Sequence, residues 1–359
     1  MSENRQTRVV VGLSGGVDSS SAAALLLEQG YEVIGITLKL WPQDCVSRVE
    51  DKCCGPQAVM DARAVAHQLG IPYYLVDGAE EFQQQVIRHF AEEYRAGRTP
   101  NPCVLCNEKL KFGLLLQRAR QLGADYVATG HFARVERVGD RVRLKRGHDP
   151  RKDQSYFLFS LKQEQLAHTL FPLGALTKQD TRAVARKKEL KTAEKEESME
   201  ICFVPDNDYG RFLQQAGLVQ KHAGDIVDLA GRVLGRHDGI EFYTIGQRKG
   251  LRLSAPKPLY VIDLDPAANR VIVGDDADLA RDAFGVERCN WVLFDAPPPA
   301  LEVVARIRYN HPGVAATVTP MPDQRAAVKL HTPQRAVTPG QACVFYQDDL
   351  VVGGGWIER

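Results

Sequence analysis

No stretch of this sequence approaches the roughly 18 consecutive apolar residues of a membrane-spanning helix, so no membrane partner is expected. Nor is there a charge bias, since 46 Lys and Arg against 45 Asp and Glu leave a net charge of +1. That excludes a uniformly basic nucleic-acid binder, and any basic surface has to be local. The opening residues MSENRQTR lack the apolar core of a secretory signal. Eight cysteines over 359 residues do not make a secreted disulfide scaffold. In a large intracellular chain, close cysteine pairs point to metal or catalysis. The expected location is the cytoplasm. Internal repeats and low-complexity tails are missing too. What is present is ordinary globular composition, 44% apolar and 25% charged, in a chain long enough for two or three domains.

The first half alternates short apolar runs with helical stretches. RVVVGL (8–13), YEVIGITLKL (31–40), PYYLVD (72–77) and DYVAT (125–129) read as strands. Asp18–Gln29, Pro56–Leu69, Glu80–Tyr94 and Asn107–Gln121 read as helices. This alternation predicts an α/β fold with a parallel sheet covered on both faces. ARVERVGDRVRLKRG (133–147) reads as a hairpin turning at Gly139-Asp140, and Phe157–Leu190 as mostly helical. After about residue 205 helical periodicity nearly vanishes. LYVIDLDPAANRVIVG (259–274) is a hairpin, and four or five short strands from residue 290 onward predict a small C-terminal β-barrel. The expected domains are 1–205, a small central one at 206–280, and the barrel at 281–359.

GLSGGVDSS (12–20) directly follows the first strand and opens the first helix. Ser14, Gly15 and Gly16 let consecutive backbone N–H groups turn toward an anion, and the helix start adds its dipole. No Gly-Lys-Ser/Thr closes the loop, so it is not a Walker A motif, and Gly-x-Gly-x-x-Gly is absent as well. Gly130 and His131 follow the fourth strand. In an open parallel sheet ligands sit beyond the carboxyl ends of the strands, so Ser14–Ser19 and Gly130 are expected to line one crevice, with Leu38 at the end of the second strand beside it.

Cys103-Val104-Leu105-Cys106 is the one C-x-x-C of the chain. It reads as half a zinc site, a redox pair, a cluster ligand pair, or one working cysteine beside an idle one. Structural zinc needs a fourth ligand, which Cys53 or Cys54 would have to supply. A thioredoxin-like pair belongs at a helix start in a different fold context. Cys45, Cys289 and Cys343 read as packing residues.

The SGGVDSS loop resembles the pyrophosphatase loop of enzymes that cleave ATP between its α and β phosphates. GRTPNPCVLCNEKLKF (97–112), ATGHFARV (128–135), RKDQSYFL (151–158), ESMEICFV (197–204), YTIGQRKGL (243–251), RIRYN (306–310) and TPGQACVFYQ (338–347) resemble the tRNA-specific 2-thiouridylases, nearly end to end. The resemblance implies adenylation of the C2 oxygen of the wobble uridine and its replacement by sulfur, with release of AMP and pyrophosphate. It implies a PP-loop ATP domain, ATP contacts at Gly12, Leu13, Ser14, Gly15, Gly16, Val17, Asp18, Ser19, Leu38 and Gly130, and Mg2+ near Asp18.

Contacts with the anticodon arm of tRNA are implied for His131, Lys152, Asp153, Gln154, Arg308, Tyr309 and Gln341, with Asn101, Pro102 and Cys103 beside the target base. From Arg134 to Lys152, eight Lys or Arg face three acids, which suits a phosphate backbone. The resemblance gives Cys202 the role of persulfide carrier and Cys106 that of the thiolate that frees the product, leaving a Cys106–Cys202 disulfide. A persulfide- or sulfide-donating protein is the implied partner. Cys103 stands where the commonest family pattern has aspartate. With it, Cys103, Cys106 and Cys202 make a possible ligand set for a [4Fe-4S] cluster with one open iron. Both mechanisms stay open on the sequence, with the cluster slightly favoured. The rivals are another adenylating enzyme with a nitrogen nucleophile, and a non-catalytic RNA-binding or Fe-S sensing protein.

Overall fold

The computed structural model describes residues 6–40, 55–196, 201–204, 206 and 208–359. Cys45, Cys53, Cys54 and the 197–200 part of ESMEICFV lie outside the described residues. Contacts divide the chain into two compact units, neither of them contiguous. One comprises Met1–Val86, Cys103–Asn207 and Asp349–Val351; the other comprises Ile87–Pro102, Asp208–Asp348 and Val352–Arg359.

The first unit is built on strands β1 (Arg8–Gly12), β2 (Glu32–Lys39), β3 (Tyr73–Asp77) and β4 (Tyr126–Ala128). β5 (Ala133–Val138) and β6 (Arg141–Arg146) form the expected antiparallel hairpin, and β7 (Thr169–Leu170) adds a short edge. The sheet order is β3-β2-β1-β4-β7, with every pairing parallel. Period-two alternation explains the central strand. Val9 and Val11 pack with Ala23, Leu26, Ala62 and Ala66 of the helices Val17–Glu28 and Pro56–Gln68. Val10 turns the other way, onto Leu115, Leu116 and Ala119. Val9, Val10 and Val11 are all fully buried, each worth about 1.5–3 kcal/mol of apolar burial. The strand order reverses between β1 and β4, so the crevice of such a sheet opens beyond the carboxyl ends of these two strands.

Three expectations need correction. Phe157–Leu190 is not mostly helical: a 3-10 turn at Ser155–Leu158, a helix Gln163–Ala167, strand β7 and a helix Lys178–Lys187 share it. Pro172 and Gly174 break the run between the last two. The helix expected from Asn107 starts earlier, at Pro102–Leu105, and winds with π-helical (i to i+5) bonding over Cys106–Leu114 before turning α-helical at Leu115–Gln121. The helix expected over Glu80–Tyr94 is likewise divided, into Ala79–Phe82, a π-helical Gln83–Ile87 and Arg88–Arg95.

In the second unit β8 (Gly224–Asp228), β9 (Val233–His237), β10 (Tyr260–Asp265) and β11 (Arg270–Gly274) make a sheet of order β10-β11-β8-β9. β12 (Ala280–Trp291), β13 (Leu301–Arg306), β14 (Val314–Met321), β15 (Arg325–Arg335), β16 (Ala342–Gln347) and β17 (Leu350–Ile357) follow. They run in the order β12-β15-β14-β13-β16-β17, and the β12–β17 pairing closes them into a six-stranded barrel. Five of these strands begin after residue 290, within the four or five expected there; the sixth, β12, begins at Ala280 with ARDAFGVER, which shows no clean alternation. Ala305, Ala316, Val318, Val328, Leu330, Phe345 and Val352 fill the barrel, with Cys289 and Cys343 packed among them. The helix Arg88–Arg95 belongs to this unit, where Tyr94 stacks on Tyr209 with centroids 4.4 Å apart.

Candidate functional site

At the carboxyl end of β1 the loop Ser14–Ser19 is held by its own serines. Ser19 Oγ accepts from the Ser14 N–H at 3.1 Å and donates to the Gly16 carbonyl at 3.2 Å. Ser20 Oγ donates to the same carbonyl at 2.8 Å. Gly16 is the N-cap of the helix Val17–Glu28 and supplies no side-chain cap. A helix start of this kind presents the backbone N–H groups that make such termini anion sites. Gly15 has φ +68°, and a Cβ there would stand 2.2 Å from the Ala58 carbonyl oxygen. Gly130, after β4, packs directly on the helix start, since a Cβ on it would lie 2.7 Å from the Ser19 amide nitrogen. The structure thus brings Ser14–Ser19 and Gly130 together, and Leu38 lies on β2, the other neighbour of β1.

Two lysines reach this loop that the sequence did not single out. Lys195 Nζ donates to the Gly15 carbonyl at 3.0 Å and to Asp61 Oδ2 at 2.5 Å. Gln57 Nε2 donates to the other oxygen of Asp61 at 2.9 Å. Burial pushes the Asp61 carboxyl up, but the Lys195 and Gln57 hydrogen bonds outweigh it and hold the group below its ordinary value. Lys178 Nζ lies 2.5 Å from Asp18 Oδ1. Asp61 carried a readable signal, because a carboxylate on the buried face of a helix beside Ala58, Ala62 and Val65 needs a partner.

His131, expected to meet tRNA, is buried. Its Nδ1 is 2.7 Å from Thr129 Oγ1, and its ring lies 6.0 Å from both Phe112 and Phe171. Desolvation, followed by the charge of Lys111, pushes its imidazole well below the ordinary value, so it is neutral. Cys106 opens the π-helical segment, Cys103 sits one helical turn before it, and both are half-buried. Cys202 is half-buried as well, next to Phe203, which is buried with its ring 5.7 Å from Phe82. All three cysteines belong to the unit that carries the loop. Among the described residues, no three His, Cys, Asp or Glu side chains converge as a metal-holding group. Cys103, Cys106 and Cys202 thus form no such group among the described residues.

The candidate RNA residues divide by burial. Lys152 is half-buried and Arg151 exposed, whereas Asp153 is buried and accepts from the Gly147 and Ser155 N–H groups at 3.1 and 3.0 Å. Gln154 Oε1 accepts from the Phe132 N–H at 3.0 Å. Part of the hairpin charge is already paired, Arg134 and Lys145 with Asp349 and Lys145 also with Glu136.

In the second unit, Arg308 is exposed on a turn shaped by Arg306, which donates to the carbonyls of Tyr309 and His311. Gln341 Nε2 donates to the carbonyls of Thr99 and Pro100 at 2.9 and 3.3 Å, and the Thr99 N–H donates to Pro339 at 2.8 Å. These bonds fix the chain just ahead of Asn101 and Pro102.

Comparison with known proteins gives a consistent result along the chain. The model of the tRNA methyl transferase HUP domain matches residues 7–206, that of the tRNA methyl transferase PRC-barrel domain 210–275, and that of the aminomethyltransferase beta-barrel domain 281–357. The sequence is 53% identical over 361 residues to the tRNA-specific 2-thiouridylase MnmA of Geotalea uraniireducens, covering 99% of this chain and 96% of that one. It is 52% identical over 363 residues to the protein of the same name from Geobacter metallireducens, covering 100% of this chain and 98% of that one. The corresponding protein of Moorella thermoacetica is 52% identical over 352 residues, covering 97% and 99%.

Proposed function

The chain belongs to the tRNA-specific 2-thiouridylase family, and from that premise we propose that it uses ATP to replace the 2-oxygen of a tRNA wobble uridine with sulfur. The observation that carries the reading is the union, in one compact unit, of the serine-closed loop at β1, Gly130 at the strand-order reversal, and the half-buried Cys106 and Cys202. In this reading residues 1–205 carry the ATP chemistry, 206–280 link, and 281–359 grip the anticodon arm. ATP and tRNA as substrates put the reaction in the cytoplasm. Among the described residues, no helix is long and apolar enough to cross a membrane.

Uracil O2 attacks the α-phosphorus of ATP held on Ser14–Ser19, and pyrophosphate leaves with the electrons of the broken bond. Asp18, whose side chain is 32% exposed, would hold a divalent cation together with the phosphates, offsetting their charge. The terminal sulfur of a Cys202 persulfide then attacks C2 and AMP departs. Cys106 thiolate attacks Cys202 Sγ, and the S–S electrons leave with the sulfur now on the base. The products are 2-thiouridine and a Cys106–Cys202 disulfide, which a thiol reductant returns to two thiols. A persulfide-donating protein reloads Cys202. No step is routed through a [4Fe-4S] cluster on Cys103, Cys106 and Cys202. Lys152, Arg308 and Tyr309 are the proposed RNA contacts. Asp153, Gln154 and Gln341 shape the surface through the bonds they already make. An adenylating enzyme with a nitrogen nucleophile would leave Cys106 and Cys202 without a task.

The test is 2-thiouridine formation, read by nucleoside mass spectrometry, beside pyrophosphate release with unmodified tRNA. Cys202→Ser is expected to abolish 2-thiouridine while tRNA-dependent pyrophosphate release continues. Full thiolation by Cys202→Ser would sink the persulfide route, and a wild-type protein releasing no pyrophosphate would sink the adenylation.

A further inference from the structure

The loop GLSGGVDS (12–19) carries one acid and no base. A triphosphate seated on it brings several negative charges against the Asp18 carboxylate. Lys178 meets that problem in the structure. Its Nζ lies 2.5 Å from Asp18 Oδ1, and its side chain is only 12% exposed. The ammonium also sits 5.7 Å from the centre of the Phe132 ring, two residues after Gly130. Lysine is a poor choice here for helix stability. It is the first residue of the helix Lys178–Lys187, where the macrodipole favours anions and disfavours a cation. That helix start is secured without it, by the reciprocal Thr177–Asp180 capping box and by Asp149 Oδ2, which accepts from the Lys178 backbone N–H at 3.2 Å. Lys195, the other ammonium at the loop, is engaged with Asp61 and the Gly15 carbonyl.

Resting on the ATP-dependent reading above, we infer that Lys178 is a phosphate-binding residue of the nucleotide site, its ammonium contacting the β- and γ-phosphates of ATP beside Asp18. There it neutralises the charge that gathers on the leaving pyrophosphate as the bond to the α-phosphorus breaks. A lysine serves as a mobile point charge, able to pass from the carboxylate to a phosphate oxygen without the fixed geometry of a guanidinium.

The experiment compares ATP and AMP affinity, by calorimetry on the full chain, for wild type, Lys178→Met, Lys178→Arg and the double variant Asp18→Asn/Lys178→Met. Loss of a charge-assisted contact predicts that Lys178→Met binds ATP at least about tenfold more weakly, with AMP affinity within about twofold of wild type. Lys178→Arg is expected to keep most of the ATP affinity. The double variant is expected to stay weak, because removing the carboxylate does not restore a phosphate contact. Unchanged ATP affinity in Lys178→Met, equal loss of ATP and AMP binding, or recovery of ATP binding in the double variant would each reduce Lys178 to a structural partner of Asp18 and overturn the assignment. A wild-type protein that binds ATP but releases no pyrophosphate with tRNA would refute the proposed reaction while leaving this assignment standing.

Discussion

Gly15 holds φ +68°, and a Cβ there would stand 2.2 Å from the Ala58 carbonyl oxygen, so any side chain would have to rebuild the turn that faces the phosphates. The second residue whose surroundings decide its state is His131. Buried against Phe112 and Phe171 and bonded to Thr129, it is held neutral by desolvation and by the nearby charge of Lys111. A histidine whose value is lowered by folding adds no pH dependence while both states are neutral, above about pH 6.5. Below that, the unfolded chain takes up the proton first and the folded state loses stability. Thermal melts across this range should therefore be flat above neutrality and fall on acidification, with a shallower acid slope in His131→Gln. Identical slopes in the two proteins would show that His131 does not contribute.

At the scale of elements, the device that matters is the clamp joining the helix Pro56–Gln68 to the loop and to the segment before Cys202. Asp61, on that helix, grips Lys195, and Lys195 grips the Gly15 carbonyl. Lys195→Met leaves a buried carboxylate with only Gln57 beside it among the bonds described above. The expected cost is about 1–3 kcal/mol in denaturant unfolding, with weaker ATP binding because the loop carbonyl is released. Asp61→Asn in the same background should recover part of the stability, and no recovery would mean that the pair is not what holds the loop. Much of this level was legible in advance. The strand alternation, the Gly-Gly loop and the hairpin at Gly139 all follow from local chemistry. What was not legible depends on distant partners. Lys195 and Lys178 read as ordinary surface charge until folding sets them on Gly15 and Asp18. The π-helical winding at Cys106 has no period that a hydrophobic pattern reveals. Asp153 looks like a contact residue in the sequence, but in the fold it is a buried acceptor for two backbone amides.

Over the whole molecule the two compact units exchange pieces of chain. Residues 87–102 lie with the barrel unit, where Arg98 pairs with Glu93, the Thr99 N–H donates to Pro339, and Arg359 donates to the Ala96 carbonyl. A chain cut after residue 206 would strip the helix Arg88–Arg95 of the Tyr94–Tyr209 stack and of every one of those later partners. Such a fragment is expected to melt well below the full chain, with the earliest proteolytic cuts between residues 87 and 102. A fragment as stable as the whole would contradict the division. The reverse exchange is smaller and reaches further. Asp349–Val351 belong to the ATP unit: the Asp349 carbonyl accepts from the Arg146 N–H at 2.7 Å, its carboxylate pairs with Arg134, and Leu350 lies in register with Lys145. Synthesis runs from the N-terminus at a pace at which completed domains usually fold as they emerge. Here Asp349–Val351 are made after nearly all of the barrel, so a premature stop between residues 281 and 348 also removes the Asp349 partner of Arg134, Lys145 and Arg146 from the first unit.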